Sequence, residues 1–204
     1  MRGVVAAALF SLWAGVCSAG SISFTGNLFD QNSFTLLQFD IAGASSAVTV
    51  QSWSFGGGTN LAGAAIPAGG FLPDISVFGP GPVYPLLADT NFTYSCPPGN
   101  LDSFEVLCGD TTLLLNLAAG SYTLAIVAAP NFPLGPTLAD GFNGGGSFIG
   151  NYGESRANSY AVDVSGPGVQ QPALVPEPAT LLLFASGAAF LLRKLHKRHP
   201  NSRA

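Results

Sequence analysis

Asp102, Glu105 and Asp110 lie close together in this sequence, and a pair of carboxylates is the minimum apparatus for cleaving a glycosidic bond. One would act as acid and the other as base or nucleophile. These three also flank Cys96 and Cys108, a setting in which acids more commonly serve as solvated turn formers. Other hydrolytic arrangements lack a part: a serine or cysteine nucleophile needs a base that titrates near neutrality, and residues 20–174 contain no histidine and no lysine. The composition therefore reads as that of a protein that is not an enzyme.

Cys96 and Cys108 are an even pair once Cys17, in the leader described below, is set aside. In an oxidising compartment a disulfide is the default, and closing a loop of about a dozen residues contributes roughly 3 kcal/mol. The pair brackets Pro97-Pro98-Gly99-Asn100, a strong turn signal. A zinc site or catalytic thiol would need further ligands or a histidine that the body does not supply. Hard oxygen ligands for calcium are offered by Asp89 and Asn91, by Asp102 and Asp110, and by Asp140-Gly141-Phe142-Asn143. None forms an EF-hand loop, and the competing reading gives these residues to turns and surface charge, with no cofactor. Among the aromatics that could stack on sugars, Trp53 and Tyr160 sit in strand patterns, which leaves Tyr84 and Tyr94 in loops. Calcium and aromatics together define one alternative, a calcium-dependent carbohydrate-binding module.

The elements that position these residues begin with the two ends of the chain. Arg2, the apolar run Val4 to Val16 and the small residues Cys17-Ser18-Ala19 have the layout of a secretory signal peptide, residues 1–19, cut by signal peptidase after Ala19. At the other end Val175-Pro176-Glu177-Pro178-Ala179-Thr180 precedes an apolar run, 181–192, and a basic tail, 193–204. Pro176 and Pro178 fix φ and lack an amide donor, so the chain around Glu177 stays extended, and a helix can start only after Pro178. From Ala179 to Leu192 no residue is charged, and at about 1.5 Å per residue this helix covers part of a hydrocarbon core of roughly 30 Å. Arg193, Lys194, Lys197 and Arg198 would hold its far end in the cytoplasm, with the body outside.

These three parts in this order resemble the PEP-CTERM sorting signal of Gram-negative bacteria. The resemblance implies recognition by the membrane enzyme exosortase, export through the inner membrane, and delivery to the cell surface or extracellular matrix. It covers about thirty residues and specifies a route.

Between the two signals, one arginine, Arg156, stands against ten acidic residues. Binding a phosphate backbone depends on Lys and Arg, so nucleic acid is excluded as a partner. Period-two patterning dominates. Ser33 to Ile41 reads as a strand with Thr35, Leu37, Phe39 and Ile41 inward, and Val48 and Val50 share a face. A bulge near Gln51-Ser52 would bring Trp53 and Phe55 to that same face. A Gly/Ala-rich loop to Gly70 leads into a strand at Pro73 to Phe78, closed by Gly79-Pro80-Gly81-Pro82. Further strands are predicted at Phe104 to Leu107, Thr112 to Leu117, Ser121 to Ala129, Ser147 to Tyr152 and Ser159 to Ser165. Ala118-Ala119-Gly120 reads as a hairpin connection, and Tyr122, Leu124, Ile126 and Ala128 as the more buried face of their strand. The expected fold is an all-β, antiparallel, jelly-roll-like sandwich over 20–166 with a linker at 167–174, flanked by a signal helix and a hydrophobic sorting helix.

A second resemblance rests on Gly69-Gly70-Phe71-Leu72-Pro73-Asp74, Ala119-Gly120-Ser121-Tyr122-Thr123-Leu124, Asn131 and Asp140-Gly141-Phe142. Their order is similar to a secreted bacterial β-sandwich family with a Gly-Gly-Phe-Asp-Pro motif, close in plan to the pre-peptidase C-terminal domain. Leu72 stands where that motif has its acid, and Asp74 follows two positions later. The function expected from all of this is a non-enzymatic surface or matrix protein, structural or adhesive, associated with exopolysaccharide or biofilm.

Overall fold

The computed structural model describes residues 19–43, 46–91, 109–150 and 153–172. The strands are β1 (Ala19–Asn27), β2 (Phe34–Ile41), β3 (Ser46–Ser52), β4 (Gly58–Thr59), β5 (Ala65–Ile66), β6 (Pro73–Phe78), β7 (Leu86–Asp89), β8 (Thr112–Leu117), β9 (Gly120–Ala128), β10 (Ser159–Pro167) and β11 (Val169–Gln170). One sheet has the order β1-β10-β3-β8, the other β11-β2-β9-β6-β7, and β4 and β5 form a separate small hairpin. All their pairings are antiparallel. Setting aside β4, β5 and β11, this is the strand order of a jelly roll, in which the first long strand lies beside the last.

Alternation decides which side chains meet between the sheets. From the first sheet Ile22, Val48, Val50, Tyr160, Val162 and Val164 point inward; from the second come Phe39, Ile41, Ile75, Val77, Tyr122, Leu124 and Ile126. Burying each large side chain is worth about 1.5–3 kcal/mol, and Phe39 adds a stacked contact with Tyr122 at 5.6 Å between ring centroids. Thr35, Leu37, Phe39 and Ile41 do take the inward positions of β2.

Several local expectations are corrected. Ala118-Ala119-Gly120 does not close a hairpin: β8 pairs with β3 in one sheet and β9 with β2 and β6 in the other, so this link passes between layers. No bulge carries Trp53 into the core; β3 ends in register at Ser52, the chain turns through 54–56, and Trp53 stays partly exposed. Both faces of β9 are buried from Tyr122 to Ala128 because β9 is a central strand whose outer face is also covered. Within 147–150 there is an isolated bridge, Ile149 to Ser155, in place of a strand. The linker starts later than residue 167, since Val169 and Gln170 pair with Ile41 and Asp40. β1, the β4–β5 hairpin, β7 and β11 have no counterpart among the predicted strands.

Among the described residues there is no α-helix, only a 3-10 turn at Leu138–Asp140, and no helix long and apolar enough to cross a membrane. The signal helix, the sorting helix at 181–192, the strand at Phe104 to Leu107, and Cys96 with Cys108 lie outside the described residues.

Candidate functional site: a buried carboxylate on the outer face of the second sheet

β6 lies between β9 and β7, and Pro73 occupies its first position, where a missing amide donor is tolerated. Ile75 and Val77 face the core, which turns Asp74, Ser76 and Phe78 to the outside of the sandwich. All six residues are nevertheless buried. One cover is the segment carrying Phe142, whose ring contacts Phe78 at 6.4 Å edge to face and Phe34 at 4.9 Å. Asn131 anchors this segment, donating to the Asn32 carbonyl at 3.1 Å and accepting from the Gly144 amide at 2.8 Å.

Asp74 is therefore a carboxylate with 1% of its surface exposed. Its Oδ1 accepts the hydroxyl of Thr90. Thr90 is held in turn by its amide on the Ile75 carbonyl at 3.0 Å, and its own Oγ1 accepts the Ile75 amide at 3.0 Å. Oδ2 of Asp74 is buried and, among the described residues, has no hydrogen-bond partner. Across the β6–β7 pair, Asp89 stands opposite Ser76 and accepts its hydroxyl at 3.0 Å. Both carboxylates also receive the Asn91 amide, so the two acids converge on the turn that follows β7.

This environment works against two negative charges. Burial raises the Asp74 carboxyl to about 7, and the charge of Asp89 pushes the same way; Thr90 and the amides of Ile75 and Asn91 oppose both effects. Burial also raises Asp89, against the hydrogen bonds from Ser76 and the Thr90 and Asn91 amides. The chemistry available to such a pair is to hold a proton or a hard cation; Ser76 and Thr90 add hydroxyl oxygens beside it.

The calcium candidates from the sequence do not form one site. Asp89 and Asn91 adjoin Asp74 as described. Asp110 is buried elsewhere, with Oδ1 accepting Ser52 Oγ at 2.8 Å and the Phe55 amide at 3.1 Å, and Oδ2 accepting the Gly56 amide at 2.7 Å. It fastens the turn after β3, and burial raises its carboxyl despite these donors. Asp140 caps its own 3-10 turn, accepting the Thr137 amide at 2.9 Å and hydroxyl at 2.7 Å. Among the described residues no three His, Cys, Asp or Glu side chains converge on one point. Tyr84 is partly exposed on the β6–β7 turn, at φ +49°. Tyr160 is buried in the core layer. Tyr94, Asp102, Glu105 and Tyr152 lie outside the described residues.

Two carboxylates that the sequence did not single out as sites are structurally prominent. Asp74 places the one charge in the segment Phe71 to Phe78, and that interruption was its signal. Asp163 carries none, because it sits in clean alternation on β10. Its Oδ1 accepts Ser23 Oγ at 2.5 Å, and its Oδ2 accepts Trp53 Nε1 at 2.7 Å and the Leu61 amide at 2.8 Å. Near this network a cleft of about 290 Å³ opens between Thr25, Asn27, Ser54, Ile66 and Pro67.

Residues 174–198 match the PEP-CTERM protein-sorting motif. The match spans Val175 to Thr180 and reaches through Arg193, Lys194, Lys197 and Arg198, all outside the described residues. The motif marks the chain for processing by exosortase and for export to the surface or the extracellular space. No curated protein matches the chain.

Proposed function

We propose that the exported body is a non-catalytic envelope or matrix module, structural or adhesive, that associates with exopolysaccharide. The observation that carries this reading is the sorting motif at 174–198, which directs a β-sandwich outward. Several carboxylates outside the Asp74–Asp89 pair support it. Asp110, Asp163 and Asp140 each hold a loop or a strand end in place, and Glu154 pairs with Arg156. Groups bound in this way maintain shape and are not poised for proton transfer, which calls for a group within reach of a substrate.

The test is cellular. Deleting residues 175–204 is expected to move the protein out of the surface or matrix fraction, measured by fractionation and immunoblotting. The intact protein is expected to co-sediment with isolated extracellular polysaccharide. Unchanged location on deletion, together with no sedimentation, would remove the basis for the proposal.

A further inference from the structure

Among the described residues, Asp74 differs from the other buried acids of the sandwich in having an oxygen with no hydrogen-bond partner. A carboxylate taken out of water costs several kcal/mol unless its lone pairs are used, so such an oxygen marks a position where a partner is missing. The surroundings narrow the choice of partner. Asp89 lies diagonally across the β6–β7 pair and is half-buried, which gives the site a second carboxylate and a way in from solvent. Ser76 and Thr90 place hydroxyl oxygens on the two acids. All of these ligands are oxygens, and the nearest charges are both negative.

We infer that Asp74 and Asp89 form a binding site for one hard divalent cation, calcium, on the outer face of the second sheet. A dication satisfies the orphaned Oδ2 and removes the repulsion between the two acids in one step. Its remaining coordination is completed by the hydroxyls of this face and by water, which calcium accepts with little geometric demand. Magnesium holds a strict octahedral shell and dehydrates reluctantly, so it fits a pair of part-buried carboxylates less well. The inference does not depend on where the protein is sorted.

The test uses the purified full-length chain in detergent, stripped with chelator and titrated at pH 8 with calcium chloride or magnesium chloride. At calcium about a hundredfold above its Kd, a melting temperature raised by roughly 5 °C or more is expected, with a smaller rise for magnesium. Asp74→Asn and Asp89→Asn should each abolish the calcium response, while Asp140→Asn should keep it. Using both pair variants guards against misfolding in one of them. No calcium shift at millimolar ion, an equal or larger magnesium shift, or a full response in a folded Asp74→Asn or Asp89→Asn protein would overturn the assignment.

Discussion

Asp163 and Asp74 are the same residue type at the same burial, 1% exposed, on opposite sheets, and the fold treats them differently. On β10 both oxygens of Asp163 are occupied by donors from three separate segments: Ser23 of β1, Trp53 after β3, and Leu61 in the β4–β5 hairpin. On β6 the Asp74 carboxylate has the Thr90 hydroxyl on Oδ1 and the Ile75 and Asn91 amides against it, while among the described residues Oδ2 has no partner. A buried carboxylate that gathers donors is a fastening; one left half-filled beside another acid is a place for a ligand. The difference lies in what the neighbouring segments offer: those beside β10 reach both oxygens of Asp163, whereas β7 sets another acid beside Asp74.

The sharpest way to break this contrast is Asp163→Ala. It strands the Trp53 indole N–H and the Leu61 amide, and frees the hydroxyl of Ser23. With hydrogen bonds to a charged group worth about 1.5–3 kcal/mol each, the expected loss is about 5 kcal/mol, read from urea unfolding. A loss below about 1 kcal/mol would mean the network is incidental.

Asp74 should behave in the opposite sense. The folded chain keeps its proton to about pH 7, while the unfolded chain releases it near 3.8, so between these values the folded state binds the extra proton. The Asp74 contribution to stability is therefore greatest below about pH 4, falls as pH rises, and levels off above about 7. The span corresponds to a loss on the order of 4 kcal/mol in the absence of divalent cation. Asp89 and Asp110, also raised, add slope of the same sign. Asp74→Asn should flatten most of this dependence and, at pH 8 with chelator, should stabilise the protein by about 2 kcal/mol. A destabilised Asn variant would place Asp74 with Asp163 as a fastening.

The smallest effect is expected where the acid is least buried. Arg156 pairs with Glu154 and lies over the Phe55 ring at 3.7 Å from its centroid. Arg156→Lys keeps the charge but loses the flat guanidinium, at about 1 kcal/mol in the same unfolding assay. An effect approaching that of Asp163→Ala would show that exposure is a poor guide to what these carboxylates do.

Much of the sandwich could be read from alternation. Pro73 to Phe78 and Thr112 to Leu117 have the predicted ends, and Ser33 to Ile41 and Ser121 to Ala129 each shift by about one residue. What period two cannot convey is which strand will be the neighbour. A glycine-containing link of three residues looks the same whether it folds a strand back beside its predecessor or carries it across to the other sheet, as at Ala118 to Gly120. Covering is equally silent: Thr123, Ala125 and Val127 read as a less buried face until the segment after β9, anchored by Asn131, brings Phe142 against their cross-strand neighbours Phe34 and Phe78. β1 was hidden for another reason, since Ile22 and Phe24 are its only large apolar residues and they directly follow the leader. The carboxylate site was half legible. Asp89 and Asn91 were recognised from their spacing, but pairing Asp89 with Asp74 requires knowing that a fifteen-residue excursion brings β7 alongside β6, with a register shift at Val77 and Phe78. The sorting motif was legible throughout because it depends on local order along the chain, with no tertiary contact needed.

The pairing of the first long strand with the last has a mechanical consequence. β1 and β10 run antiparallel over nine residue pairs, with Ala19 opposite Pro167, so both ends of the sandwich leave from one pole. Tension applied between those two ends would peel the ladder open one bond at a time. Tension between residue 172 and a contact at the far pole would first release the two residues of β11 and then load the bonds on both sides of β10 together, in shear. The same body would be weak to one direction of pull and strong to the other.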